Sequence, residues 1–314
     1  MQTPVRIGAR GSKLSQTQSR WVQRRVAEAL GARPEQADEV APLVLITTTG
    51  DRVQDRRLLE IGGKQLFTKE IEEALLDGRV DMAVHSMKDV PAEQPPGLAI
   101  AAVPEREDPR DAFVSRRWNS LADLPHGARL GTASLRRQAQ ALAARPDLEV
   151  ALLRGNVDTR LKKLDDGEYD AILLAAAGLN RLGLAGEIGS WLDPVAAPPA
   201  PGQGALALQT RIEDAGAEFL RALHHAETAV TVAAERGALA ALEGSCRTAM
   251  GAYATVEGSR LRLLVEALTP DGRLRWRREG ETSLDVPEPL AEARTLGVVL
   301  AEQVRLEAGD RLEL

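Results

Sequence analysis

Arginines stand at the positions where a chain of alternating strands and helices would end a strand or open a helix. Arg10 closes the strand-like run VRIGAR (5–10), and Arg154 falls at the end of EVALLRG (149–155), just ahead of the helix that contains Arg160. Arg136 and Arg137 lie in the first turn of a helix that Thr132 or Ser134 would cap. A cation there faces the positive end of the helix dipole, so two adjacent ones call for an anion. Free N–H groups at a helix start and guanidinium forks together suit a carboxylate or a phosphate. In open α/β sheets, ligands also collect at the carboxyl ends of strands. Any one of these arginines is as well explained by surface solvation; it is the set that points to an anionic ligand.

A second cluster sits in VHSMKDVP (84–91), where His85, Ser86, Lys88 and Asp89 share a short loop closed by Pro91. A carboxylate there could carry protons or stabilise a cationic intermediate, although a solvated Lys–Asp pair in a turn is the commoner outcome. Cys246, in LEGSCRTAMG (242–251), is the single cysteine of 314 residues. Without a second thiol it makes no internal disulfide, which leaves a buried small hydrophobe, a nucleophile or a covalent anchor. Other chemistries find no support. Gly63-Lys64 lacks the upstream glycine of a P-loop, and GQGALA (202–207) follows PPAP instead of the strand that a dinucleotide fingerprint needs. The histidines at 85, 126, 224 and 225 have no metal-ligand spacing, so no metal is expected.

Composition bounds the remainder. Length allows two or three domains, and 44% hydrophobic residues can fill their cores. Aromatic residues make up 3%, too few for a base-stacking surface, and a net charge of −6 gives no global field for nucleic acid. No apolar stretch reaches the length of a membrane span, and no signal-like apolar core follows the first residues. With one unpaired cysteine, these features lead us to expect a cytoplasmic protein.

Elements that would position the clusters follow from hydrophobic rhythm. Strand-like runs at 5–10, 44–51, 81–86 and 97–104 alternate with helical ones, notably SRWVQRRVAEAL and FTKEIEEALLDG (67–78). EREDPRDAFVS (105–115) interrupts with dense charge and reads as a boundary, after which alternation resumes with strands at 128–132, 149–155 and from 169. This grammar predicts α/β layers with largely parallel sheets. PVAAPPAPGQG (194–204) reads as a connector. Beyond it come a long helix (226–243), strands near 250–256, 260–268 and 273–280 with a hairpin at PDG (270–272), and a last helix (288–307). That is a smaller α+β domain.

Seven stretches together resemble the porphobilinogen deaminase (hydroxymethylbilane synthase) family: GGKQLFTKEIEEALL (62–76), DMAVHSMKDVP (81–91), EREDPRDAFVS (105–115), GTASLRRQAQ (131–140), LRGNVDTRLKKLDDGEYDAILLAAAGLNRLG (153–183), PGQGALAL (201–208) and LEGSC (242–246). They run in the family's order. Ala133 and Ser245 depart from it, standing where serine and glycine are usual.

The resemblance implies two lobes like those of type II periplasmic binding proteins, with the chain crossing back after the connector. Domain 1 would hold 1–104 plus 199–221, domain 2 residues 105–198 and domain 3 residues 222–314. It further implies condensation of four porphobilinogen molecules, with loss of ammonia, on a dipyrromethane cofactor joined to Cys246 by a thioether. By motif, Asp89 would be catalytic. Lys88, Thr132, Ser134, Arg136, Arg137 and Arg160 would hold the cofactor, and Arg10, Ser12, Gln18, Arg154 and Arg181 the substrate. Lys64 and Phe67 would belong to a lid spanning 47–64 and its flank. The family expectation is a monomer. The competing reading is a non-catalytic module that binds a small anion, which the two-lobed fold commonly does and for which Cys246 would have no role.

Overall fold

The computed structural model describes residues 4–52, 66–242 and 248–312; Lys64 and Cys246 lie outside them. In chain order the elements are β1 (Ile7–Arg10), α1 (Lys13–Ala29), α2 (Ala37–Val40), β2 (Leu43–Ile46), α3 (Thr49–Arg52), α4 (Lys69–Leu76), β3 (Met82–Ser86), β4 (Leu98–Ala102) and β5 (Asp111–Ser115). Next come β6 (Arg129–Thr132), α5 (Leu135–Ala144), β7 (Glu149–Leu152), α6 (Val157–Asp165), β8 (Ala171–Ala175), α7 (Ala176–Arg181) and β9 (Ser190–Trp191). The chain continues with β10 (Leu206–Arg211), α8 (Glu218–Leu223), α9 (Ala226–Leu242), β11 (Ala249–Glu257), β12 (Arg260–Leu268), β13 (Arg275–Ser283) and α10 (Pro289–Ala308).

They form two compact units, residues 1–106 with 205–229 and residues 107–204 with 230–314. In the first, a five-stranded sheet runs β2-β1-β3-β10-β4. β1 pairs in parallel with β2 and β3, whereas β10 lies antiparallel between β3 and β4. Side chains of β3 alternate between two cores, as a strand's period of two requires. Met82 and Val84 face α1 and α8 with Val22, Val26 and Phe219, while Ala83 faces α4 with Ile71 and Leu75. Cover on both faces is what makes these strands read as near-continuous apolar runs.

The second unit repeats the plan with β7-β6-β8-β5-β9. β6 pairs in parallel with β7 and β8, and β5 lies antiparallel against β8. Ile172 and Leu174 of β8 pack toward Leu161 and Leu179, and Ala171 and Leu173 toward Ala141. The same unit contains an antiparallel sheet, β11-β12-β13. Its inner face meets α5, where Ala139 packs on Ala249 and Leu268.

Both α/β sheets and the α+β ending match expectation, but four details differ. Residues 44–51 are not one strand: β2 stops at Ile46 and Thr49 opens α3. There Glu70 Oε1 accepts hydrogen bonds from Thr49 N (2.8 Å) and Oγ1 (2.5 Å), turning the chain. The charged run at 105–115 is not wholly a boundary either, because DAFVS is β5, an interior strand of its sheet. ALALQTR (205–211), for which the sequence predicts no element, contains β10, and the sheets are mixed where largely parallel ones were expected. In both cases the strand's partners are distant in sequence, so no local hairpin signal marks it.

Candidate active site

In the first unit the strand ends build a compact polar cluster. Ser12 caps α1, its Oγ accepting from Ser15 N at 3.3 Å, and Ser15 Oγ accepts from Arg10 N at 3.1 Å. This fixes the backbone at Arg10 as it leaves β1. The Arg10 guanidinium lies 4.1 Å from the centroid of the Phe67 ring, a cation–π contact. That ring packs on Gly50, where any Cβ would collide with it.

Asp89 stands on a 3-10 turn, Met87–Asp89, that directly continues β3. Met87 anchors the turn: its side chain is buried and its N–H donates to Ala205 O at 3.0 Å, while Val90 N returns to Met87 O at 3.1 Å. Ser86 Oγ and the buried amide of Gln18 lie 3.3 Å apart in hydrogen-bond contact, tying the same point to α1. Lys88 and Asp89 themselves stay half-buried. Below them His85 is buried and its Nε2 donates to Gln209 Oε1 at 3.0 Å. Burial pushes the His85 imidazole down to about 4, with Gln209 and the charge of Asp89 opposing and that of Arg10 assisting. A neutral imidazole therefore underlies the Asp89 turn at physiological pH.

In the second unit Thr132 ends β6, and its Oγ1 accepts from Ser134 N at 3.1 Å. Ser134 caps α5 by accepting from Arg137 N at 3.4 Å. The anion that the first-turn arginines call for is supplied by the chain itself. Asp111, wholly buried at the start of β5, receives Arg136 Nη1 at 2.7 Å and Arg137 Nε and Nη2 at 3.0 and 2.8 Å. Register explains the meeting, since Asp111 pairs with Ala175, the last residue of β8. Arg137 also donates through Nη1 to Leu173 O at 3.1 Å and through Nη2 to Gln203 Oε1 at 3.4 Å, so all three nitrogens are engaged. Its expected role toward a cofactor carboxylate finds the fork already occupied. Arg136 differs: Gln140 Oε1 and Pro198 O join Asp111 on Nη1, while Nε is buried with no partner. An unsatisfied buried donor costs about 1–3 kcal/mol, which an arriving carboxylate would relieve.

Arg154 lies half-buried after β7. Arg160 folds its Nε back onto Gly155 O at 2.7 Å, and Gly155 adopts φ 114°, open to glycine alone. Arg181 ends α7 and donates to Gly204 O at 2.7 Å. Burial lowers its guanidinium to about 10 against the pull of Glu107, which still leaves it charged at neutral pH. Gly204, at φ 87°, closes on the Glu107 carbonyl so tightly that a Cβ would collide with it.

Thus the structure places Arg10, Ser12, Gln18, Lys88, Asp89 and Phe67 in one unit, and Thr132, Ser134, Arg136, Arg137, Arg154, Arg160 and Arg181 in the other, most of them at strand ends or near the starts of helices, with Gln18 within α1 and Arg181 at the end of α7. Asp111, Gln203 and Gln209 escaped the sequence reading. The one available signal was a carboxylate opening the apolar run AFV, which is an unusual place for a solvated charge. Among the described residues no group of His, Cys, Asp and Glu is arranged to hold a metal.

Fold and site together define an α/β protein with cationic side chains at the carboxyl ends of its parallel strands. The sequence pattern "Porphobilinogen deaminase, dipyromethane cofactor binding domain" matches residues 5–218, and that of the same family's C-terminal domain matches 229–305. The porphobilinogen deaminase of Caulobacter vibrioides (strain NA1000 / CB15N) is 64% identical over 317 aligned residues, covering 100% of this chain and 98% of its own. That of Phenylobacterium zucineum (strain HLK1) is 65% identical, covering 100% and 99%. The methionine-binding protein MetQ superposes with a TM-score of 0.45 at 15% identity, over 71% of this chain and 91% of its own, and adds nothing to the strand order itself. This chain belongs to the porphobilinogen deaminase family. It is accordingly a transferase of tetrapyrrole biosynthesis with a dipyrromethane cofactor-binding domain, and a non-catalytic anion-binding module is not favoured.

Proposed function

We propose that the chain condenses four porphobilinogen molecules, releasing ammonia at each step, to give the linear hydroxymethylbilane, with Asp89 as the catalytic carboxylate and Cys246 as the cofactor anchor. Dipyrromethane, when bound, supplies the free pyrrole α-carbon from which the chain grows. The donor set suits it: its acetate and propionate groups need cations and hydroxyls, and Thr132, Ser134, Lys88, Arg160 and the unpaired Nε of Arg136 offer them. Arg137 is assigned to holding Asp111. Arg10, Ser12, Gln18, Arg154 and Arg181 are assigned to the carboxylates and polar edge of porphobilinogen.

Asp89 carries the chemistry in this reading. As the aminomethyl C–N bond breaks, a carboxylate beside the pyrrole stabilises the azafulvene cation that forms and accepts hydrogen bonds from pyrrole N–H groups. The observation that supports this is the turn geometry: Met87 and Ser86 fix the backbone while Asp89 remains accessible. Phe67, whose ring the Arg10 guanidinium contacts, is assigned with Lys64 to a lid. We also assign three structural domains, supported by three separate sheets and by the break between the two family matches, a monomeric state and a cytoplasmic location; no helix among the described residues is long and apolar enough to cross a membrane.

The test is intact-mass measurement of the purified full-length chain and its Cys246→Ser variant. The native chain is expected to carry two linked pyrrole units and the variant none. An unmodified chain with full turnover would overturn the assignment of the anchor.

A further inference from the structure

Two guanidiniums share one buried carboxylate at the start of β5. Asp111 is 1% exposed, and Arg136 and Arg137 are 5% and 6% exposed, so bulk water does not screen the set. Two cations against one anion leave an excess positive charge in the interior. The arginines divide the carboxylate: Oδ2 takes Arg136 and Oδ1 takes Arg137. Gln203 Nε2 donates to Oδ1 at 2.8 Å and to Pro109 O at 2.8 Å, so the carboxylate is itself held from a third direction. On the far side of Arg136, Gln140 Nε2 donates to buried Glu266 at 2.8 Å, which anchors α5 to β12.

We propose that Asp111 is a positioning residue for the reaction: it binds Arg137 entirely within the protein and Arg136 by a single nitrogen, leaving the Nε edge of Arg136 as the donor for a pyrrole-borne carboxylate. This rests on the assignment of Arg136 to such a carboxylate made above. The ionisation state fits. Burial alone would raise the Asp111 carboxyl, but the charges and hydrogen bonds of Arg136 and Arg137 outweigh it and hold it well below the usual carboxylate range. The residue is an anion throughout the working pH range.

A double-mutant cycle on the full-length chain separates positioning from a general structural role. Asp111→Asn keeps the shape and removes the charge. It is expected to retain a cooperative melt while the adduct-bearing fraction by intact mass, and kcat for porphobilinogen, each fall about tenfold, the scale of one charge-assisted hydrogen bond. Arg136→Gln is expected to give a loss at least as large. The double variant should then be no worse than Arg136→Gln alone, because Asp111 acts through that guanidinium. Losses that multiply would overturn the positioning role and leave the assignment of Arg136 intact. An Arg136→Gln chain with native adduct and turnover would instead sink the assignment of Arg136 itself. Asp111→Glu, which keeps the charge but moves it by one methylene, guards against a variant that does not fold. It should fold and show the same selective defect; full activity, or loss of the cooperative melt in both Asp111 variants, would each overturn the proposal.

Discussion

Replacing Asp89 by alanine removes a side chain whose backbone is held by Met87 and Ser86, so the fold and the covalent adduct should persist. Turnover should fall about a thousandfold or more, the scale of lost charge stabilisation and proton handling; ammonia release near the native rate would count against it. His85, one turn away, governs a pH effect. Its folded value of about 4 lies below the unfolded one near 6.5, so between those values the unfolded chain binds a proton that the folded chain refuses. Stability should therefore be full above pH 6.5 and decline by about 3 kcal/mol as pH falls toward 4. Urea unfolding at pH 7 and 4.5 measures this, and His85→Gln should flatten the dependence. Asp89 and the arginines were legible in the sequence because they sit beside turn signals at the ends of apolar runs. Asp111 was not, since a carboxylate inside a dense charge run looks solvated until its strand partner is known.

Elements differ in how far their local sequence commits them. α5 carries a cap that the sequence narrowed to Thr132 or Ser134, and the structure selects Ser134; Ser134→Ala should cost about 1 kcal/mol in a thermal or urea melt, because Arg137 N loses its acceptor. β5 and β10 could not be read, as each is an antiparallel insertion between strands from elsewhere in the chain. Glycines within the C-terminal helices were equally silent. Gly237 of α9 and Gly297 of α10 bring the two backbones together, such that a Cβ at either would collide with the carbonyl of Arg294 or Ala234. Helix propensity alone would favour alanine at these positions by up to about 1 kcal/mol. The crossing reverses the sign, and Gly297→Ala is expected to lose about 1–3 kcal/mol through overpacking, read as a lowered Tm.

At the scale of the molecule, the first unit is discontinuous. β10 lies between β3 and β4 and reaches them only after the chain has passed through β5 to β9. A chain ending at residue 204 should therefore leave a sheet without an interior strand, and should show no cooperative unfolding for residues 1–106. Proteins synthesised from their N-terminus ordinarily complete their leading domain first. Here the chain contains every strand of the β5–β9 sheet by Trp191, whereas the sheet of the first unit is incomplete until β10 ends at Arg211. Until β10 is present, β3 keeps one unpaired edge and β4 has no partner in its sheet, so the segment that comes first in the chain closes its sheet after the one that follows it.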